Sequence, residues 1–146
     1  RQKITVILYL DTSSLVKLYV EETASADVEG LVGSAEVTVT SLIAYAEARA
    51  AFARRFRENA FSSKDFNRLR SQFESDWKNF LSIHVNPEIV RMAGDLAEKH
   101  GLRGFDAVHL ASAVTLREKL ASPVTFSCYD IRLQDASQRE KLDQPL

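Results

Sequence analysis

Ile4-Thr5-Val6-Ile7-Leu8-Tyr9-Leu10, followed at once by Asp11-Thr12-Ser13-Ser14, is the stretch whose reading decides the fold. The run is β-branched and aromatic and has no polar face, so it predicts a central strand of a parallel sheet covered on both sides. An acid at the C-terminal end of such a strand lies in the crevice where open α/β sheets bind their ligands. Asp11 therefore either works in a site or caps the helix that follows. Which of the two holds depends on whether other acids converge on it.

The strands and helices that follow support a sheet of this kind. Ser13 or Ser14 is positioned to cap a short helix carrying Leu15, Val16, Leu18, Tyr19 and Val20. Thr23 opens a second, which Gly33 closes. Glu36-Val37-Thr38-Val39-Thr40 alternates and reads as a strand. Ser41 caps an Ala-rich helix expected over 42–58. Ser62, with Asp65 three residues on and Phe61 set to staple against Phe66, begins the best-signalled helix. Phe66, Leu69, Phe73, Trp77 and Phe80 form its apolar stripe, which reads as core. Strands at 81–85 and 123–127 alternate with helices beginning at Pro87, near Gly104 and near Ile131. The order predicts one α/β domain over residues 1–146, with right-handed crossovers and helices on both faces.

Bulk properties narrow the function little. The chain has 146 residues, 45% of them hydrophobic, and a formal charge of −1, which advertises neither a nucleic-acid nor a membrane partner. A single cysteine, Cys128, excludes an intrachain disulfide and suits a reducing cytosol. No apolar run approaches the roughly 20 residues of a membrane span, and no signal-peptide layout is visible. The expectation is a soluble cytoplasmic domain, with a few residues preceding Arg1.

Three more acids are candidates to join Asp11. Glu47 lies among Ile43, Ala44, Ala50 and Ala51 on its helix, so it is expected to be partly buried and in need of a partner. A salt bridge to Arg54 or Arg55 is the bland alternative. Asp106 falls in the first turn of its helix, where it complements the helix dipole. Asp130 follows the last strand and is suited to cap the final helix. Each acid alone is ambiguous. Together they sit on the side of the sheet where strands end, so four carboxylates can share one cleft. Such a cluster cannot stay ionised without a cation. Oxygen-only ligation selects Mg²⁺ or Mn²⁺, and His84, His100 and His109 lack the spacing of a zinc site. Acid-held Mg²⁺ suits phosphodiester hydrolysis.

The strings themselves carry a resemblance. Tyr9-Leu10-Asp11-Thr12-Ser13-Ser14-Leu15-Val16-Lys17-Leu18-Tyr19 and Ala44-Tyr45-Ala46-Glu47-Ala48-Arg49 resemble the PIN-domain family. So do Leu102-Arg103-Gly104-Phe105-Asp106-Ala107-Val108-His109-Leu110-Ala111-Ser112-Ala113 and Phe126-Ser127-Cys128-Tyr129-Asp130-Ile131-Arg132-Leu133. More narrowly, the chain is similar to the VapC-type toxins of toxin–antitoxin pairs. The resemblance implies a three-layer α/β/α sandwich with a parallel sheet of four or five strands and a projecting helical hairpin. It further implies a Mg²⁺- or Mn²⁺-dependent endoribonuclease with Asp11, Glu47, Asp106 and Asp130 as the acidic, metal-holding site. Ser13 would orient Asp11 or a water. An RNA substrate, a cognate antitoxin and a homodimer are the partners implied.

Two departures from that pattern matter. Cys128 stands two residues before Asp130, where Thr or Ser is usual, and the chain leaves little room for a last edge strand. A non-catalytic module binding RNA or protein is the alternative reading. A phosphatase using Asp11 as nucleophile needs a second acid two residues on, where Ser13 stands. Residues 49–70 hold seven cations, Arg49, Arg54, Arg55, Arg57, Lys64, Arg68 and Arg70, against Glu58 and Asp65, a candidate phosphate track or a solvated face. Lys17 and Arg103 stand nearer the acids, as phosphate contacts or neutralising charges. His109 reads as a hydrogen-bonded structural histidine.

Overall fold

The computed structural model describes residues 6–146, so the expected strand residues Ile4 and Thr5 lie outside the described part. Four parallel strands, β1 (Ile7–Leu10), β2 (Val37–Ser41), β3 (Leu81–Ile83) and β4 (Thr125–Ser127), form one sheet in the order β3-β2-β1-β4. β1 is central, in register Leu8 with Thr38 and Tyr9 with Phe126. Its alternation divides the core. Ile7 and Tyr9 face a cluster made with α5 (Pro87–His100), α6 (Gly104–Leu120) and α7 (Ile131–Arg139). Leu8 and Leu10 face another, made with α1 (Thr12–Val16), α2 (Ser25–Ser34), α3 (Ala44–Arg57) and α4 (Ser63–Trp77). The result is the expected three-layer sandwich.

The α3–α4 hairpin is held by aromatic rings. Phe73 is fully buried and meets Tyr19, Tyr45, Phe52 and Trp77 at centroid distances of 5.3–5.7 Å. Near the hairpin turn Phe56 stacks on Phe66 at 4.6 Å, and Phe61 lies 6.0 Å from Phe66. The stripe on α4 is therefore core, as its spacing predicts. Ser62 caps α4 through the Asp65 amide, and Asn86 caps α5 through the Ile89 amide.

Several boundaries differ from the expectation. Asp11, not Ser13 or Ser14, caps α1, because its carboxylate is the oxygen within reach of the Ser14 amide. Ser41 stays in β2, paired with Ile83, and the Leu42 amide still bonds to the Ile83 carbonyl. Ser41 Oγ accepts from the Ile43 amide at 3.3 Å, ahead of the helix, and α3 begins at Ala44. Ala24 takes a left-handed conformation, φ 72°, and α2 starts at Ser25 rather than after Thr23. No full fifth strand forms among the described residues. Asp143 makes one parallel bridge to Thr125, with its amide bonded to the Val124 carbonyl and its carbonyl to the Phe126 amide. No helix among the described residues is long and apolar enough to cross a membrane.

Candidate active site

All four acids lie where the strand order brings them, along the C-terminal edge of the sheet. Asp11 leaves the end of β1 and is 4% exposed. Its Oδ1 accepts from the Ser13 hydroxyl at 2.7 Å and from the Ser14 amide at 3.0 Å. Ser13 Oγ in turn accepts from the Tyr129 amide at 3.2 Å, tying the ends of β1 and β4 together. Ser13 thus orients Asp11, as expected. Burial pushes the Asp11 carboxyl above its ordinary range, and repulsion from Asp106 adds to the rise.

Glu47, half-buried on α3, has no arginine partner among the described residues. Its Oε1 accepts from Thr12 Oγ1 at 2.6 Å and stands 3.0 Å from His109 Nε2. Arg55 instead pairs with Glu22 at 3.3 Å, which corrects the salt-bridge alternative. Burial acts to raise Glu47, but the hydrogen bonds from His109 and Thr12 outweigh it and hold the carboxyl below its ordinary range.

Asp106 begins α6 and makes no hydrogen bond among the described residues. Burial raises its pKa, and the neighbouring charge of Asp130 raises it further, against the pull of His109 and Arg103. Asp130 is exposed and caps α7, accepting from the Leu133 amide at 2.9 Å. The capping expectation for Asp130 and Asp11 is thus met alongside their place at the edge. Cys128 is buried, its thiol raised by desolvation and 3.8 Å from the Asp130 carbonyl, and it bonds neither carboxylate.

Three of the four acids line two cavities that share Asp106. Asp106, Asp130, Asp135, Arg103 and Tyr129 line a cleft of about 760 Å³. Glu47 shares with Asp106 and Arg103 an adjoining cavity of about 620 Å³, whose walls include Val90 and Phe105. Asp11 is buried and lines neither cavity. Among the described residues, no three acidic, His or Cys side chains reach one common metal ion as they stand. The donor chemistry still fits a hard divalent cation, because the site offers carboxylate oxygens whose like charges raise Asp11 and Asp106.

The model of the PIN domain family matches residues 8–123, a span that runs from within β1 past the end of α6 and holds three of the four acids. The chain belongs to the PIN-domain family. Ribonuclease VapC45 and Ribonuclease VapC49, from two strains of Mycobacterium tuberculosis, are each 34% identical to it over 110 residues, 75% of this chain and 76% of the relative. Those relatives make it a VapC-type member. Among solved structures, the Mycobacterium tuberculosis VapC20, a sarcin-ricin loop cleaving toxin, superposes with a TM-score of 0.65 at 17% identity, covering 88% of this chain and 94% of that one. VapBC2 from Rickettsia felis, bound to a promoter DNA fragment, gives 0.63 at 16% identity, covering 95% and 97%.

Within this PIN domain the cations near the acids take different roles. Lys17 is held by Glu22 at 3.0 Å and sits 4.7 Å from the Tyr129 ring centroid, so its charge is already engaged. Arg103 lines both cavities and lowers Asp106. Of the cations in 49–70, Arg49, Arg55 and Arg68 are paired with Glu74, Glu22 and Asp65, while Arg54, Arg57 and Lys64 have no ion pair among the described residues. Two residues at the site, Thr12 and Tyr9, carry no functional signal of their own in the sequence. Thr12 is hidden beside the more conspicuous Asp11, and Tyr9 reads only as strand core. The one available signal is helical phase, which puts His109 one turn from Asp106.

Proposed function

We propose that this PIN domain is a Mg²⁺- or Mn²⁺-dependent endoribonuclease and the toxin of a toxin–antitoxin pair. The observation that carries the reading is the convergence of Asp11, Glu47, Asp106 and Asp130 on the C-terminal edge of one parallel sheet, close enough for the charge of Asp106 to raise Asp11 and the charges of Asp130 and Glu47 to raise Asp106. Relatives named as ribonucleases support the activity, and a structural neighbour named as a cleaving toxin supports its use against RNA.

The four acids would hold the ion. When bound, it would supply an activated water and neutralise charge on the scissile phosphate. This chain's own residues do the rest. Ser13 and the Ser14 amide fix Asp11 through one oxygen. Thr12 and His109 hold Glu47 ionised. Asp106, with no hydrogen bond to break among the described residues, is the acid best able to turn toward a cation. Arg103, which lines both cavities, is suited to a phosphate of the RNA.

An antitoxin is the proposed protein partner, in keeping with neighbours solved as VapBC2 and FitAB. A homodimer is proposed with it, for which exposed Val90 and Phe105 offer apolar surface. A cytoplasmic site of action fits the single reduced cysteine.

A non-catalytic RNA- or protein-binding module is the second reading. It is favoured by one observation, the absence among the described residues of three side chains within reach of a common ion. Incubating the purified chain with structured RNA and Mn²⁺ separates the two. The first reading expects cleavage that disappears in excess chelator and in Asp106→Asn. Cleavage surviving either treatment, or none by the folded wild type, sinks it.

A further inference from the structure

Tyr9, His109, Thr12 and Glu47 form a chain of hydrogen bonds running from the middle of the core to the acidic edge. Tyr9 is fully buried in β1, with its ring stacked on Phe126 at 5.3 Å and edge-on to His109 at 5.8 Å. Its hydroxyl lies 2.8 Å from His109 Nδ1. On the other side of the ring, His109 Nε2 lies 3.0 Å from Glu47 Oε1 and 3.1 Å from Thr12 Oγ1. Thr12 closes the triangle by donating to the same Glu47 oxygen at 2.6 Å.

These contacts determine where the imidazole proton sits. Thr12 has one proton, and it is given to Glu47, so Thr12 cannot donate to Nε2. Glu47 is an acceptor only. A bare Nε2 would therefore set its lone pair against a carboxylate oxygen, which is repulsive. With the proton on Nε2, His109 donates to Glu47, and Nδ1 becomes the acceptor that the buried Tyr9 hydroxyl needs. A tyrosine hydroxyl carries one proton to donate, and Nδ1 lies 2.8 Å from it. Every buried polar atom of the group is then satisfied.

We propose that His109, with its proton held on Nε2 by Tyr9, is a positioning residue that locks Glu47 through Oε1 and leaves Oε2 for the cation. Two donors on one oxygen fix the rotation of a side chain that is otherwise only half-buried. Carboxylates ligate with correct aim when such partners hold them. The inference rests on the reading of Glu47 as a metal-holding acid, but the proton assignment does not.

The experiment has two independent readouts on the full chain. With ¹⁵N-labelled histidine, long-range proton–nitrogen spectra report the tautomer, and His109→Gln assigns the resonance. The expected wild-type pattern is Nε2–H, perturbed in Glu47→Gln and losing its single-tautomer character in Tyr9→Phe. Manganese titration by calorimetry then compares variants whose melting confirms a folded state. His109→Phe is expected to weaken Mn²⁺ binding roughly 10–100-fold, as loss of an outer partner does. His109→Gln, which returns an N–H to the Nε2 position, recovers most of that loss, a rescue that a purely structural histidine would not give. A proton on Nδ1, a His109 spectrum indifferent to Glu47→Gln, or equal Mn²⁺ affinity in folded His109→Phe overturns the proposal. Absence of Mn²⁺ binding in the wild type counts against the metal-dependent function instead, and the spectra still decide the position of the proton.

Discussion

Replacing Asp11 by Asn should make the metal-free domain more stable while removing its activity. Asp11 is buried, and that burial is the largest of the effects raising its pKa. A carboxyl raised in the fold ionises more easily in the unfolded chain, so its ionisation favours unfolding. The cost is complete above the folded pKa and vanishes below the unfolded one, about 3.9. Each pK unit of the rise corresponds to about 1.4 kcal/mol. Asn retains the carbonyl oxygen that accepts from Ser13 and Ser14, and it caps helices about as well as Asp. About 1 kcal/mol moves the Tm of a chain near this size by roughly 2–4 °C. Thermal melts in chelator should therefore put Asp11→Asn a few degrees above wild type at neutral pH, with the gain shrinking toward about pH 4. Manganese should reverse the order. An ion at a hundred times its Kd stabilises the wild type by about 2.7 kcal/mol and the variant far less. A variant that melts lower than wild type in chelator at neutral pH, or that gains as much from Mn²⁺, refutes the reasoning.

Phe73→Ala should cost about 3–5 kcal/mol in urea unfolding, because a fully buried ring touching four other aromatics leaves a cavity that cannot collapse. Asn86→Ala removes the acceptor for the Ile89 amide at the start of α5 and should cost about 1 kcal/mol by the same measurement. Cys128, buried and with its thiol raised by desolvation, should resist iodoacetamide in the native state and react once urea unfolds the chain, as read by mass spectrometry.

The layered architecture was legible because its signals are local. The unbroken apolar run before Asp11, the 3-4-4-3 stripe from Phe66 to Phe80, and the Ser62 and Asn86-Pro87 starts each reflect one element's own period or cap. Boundaries failed where a distant partner competed. Ser41 has the chemistry of a cap, yet its pairing with Ile83 keeps it in the sheet. The last strand was open in sequence and is reduced to the single bridge of Asp143.

The acids followed the same division. Their presence at strand ends and helix starts could be read from order alone, since parallel strands end on one side. Their partners could not. Glu47 stands 62 positions from His109 and 35 from Thr12, while Tyr9 stands 100 from His109. No local pattern encodes separations of that length. The sequence by itself determined a covered parallel sheet, the four carboxylates at its edge and the family to which they belong. Only tertiary structure decided that Glu47 is held by a histidine and a threonine instead of an arginine, and that Asp130 and Glu47 open on different cavities that share Asp106. The physical reason is that hydrophobic period and capping act over a few residues. Hydrogen bonds among buried side chains depend on how whole elements stack.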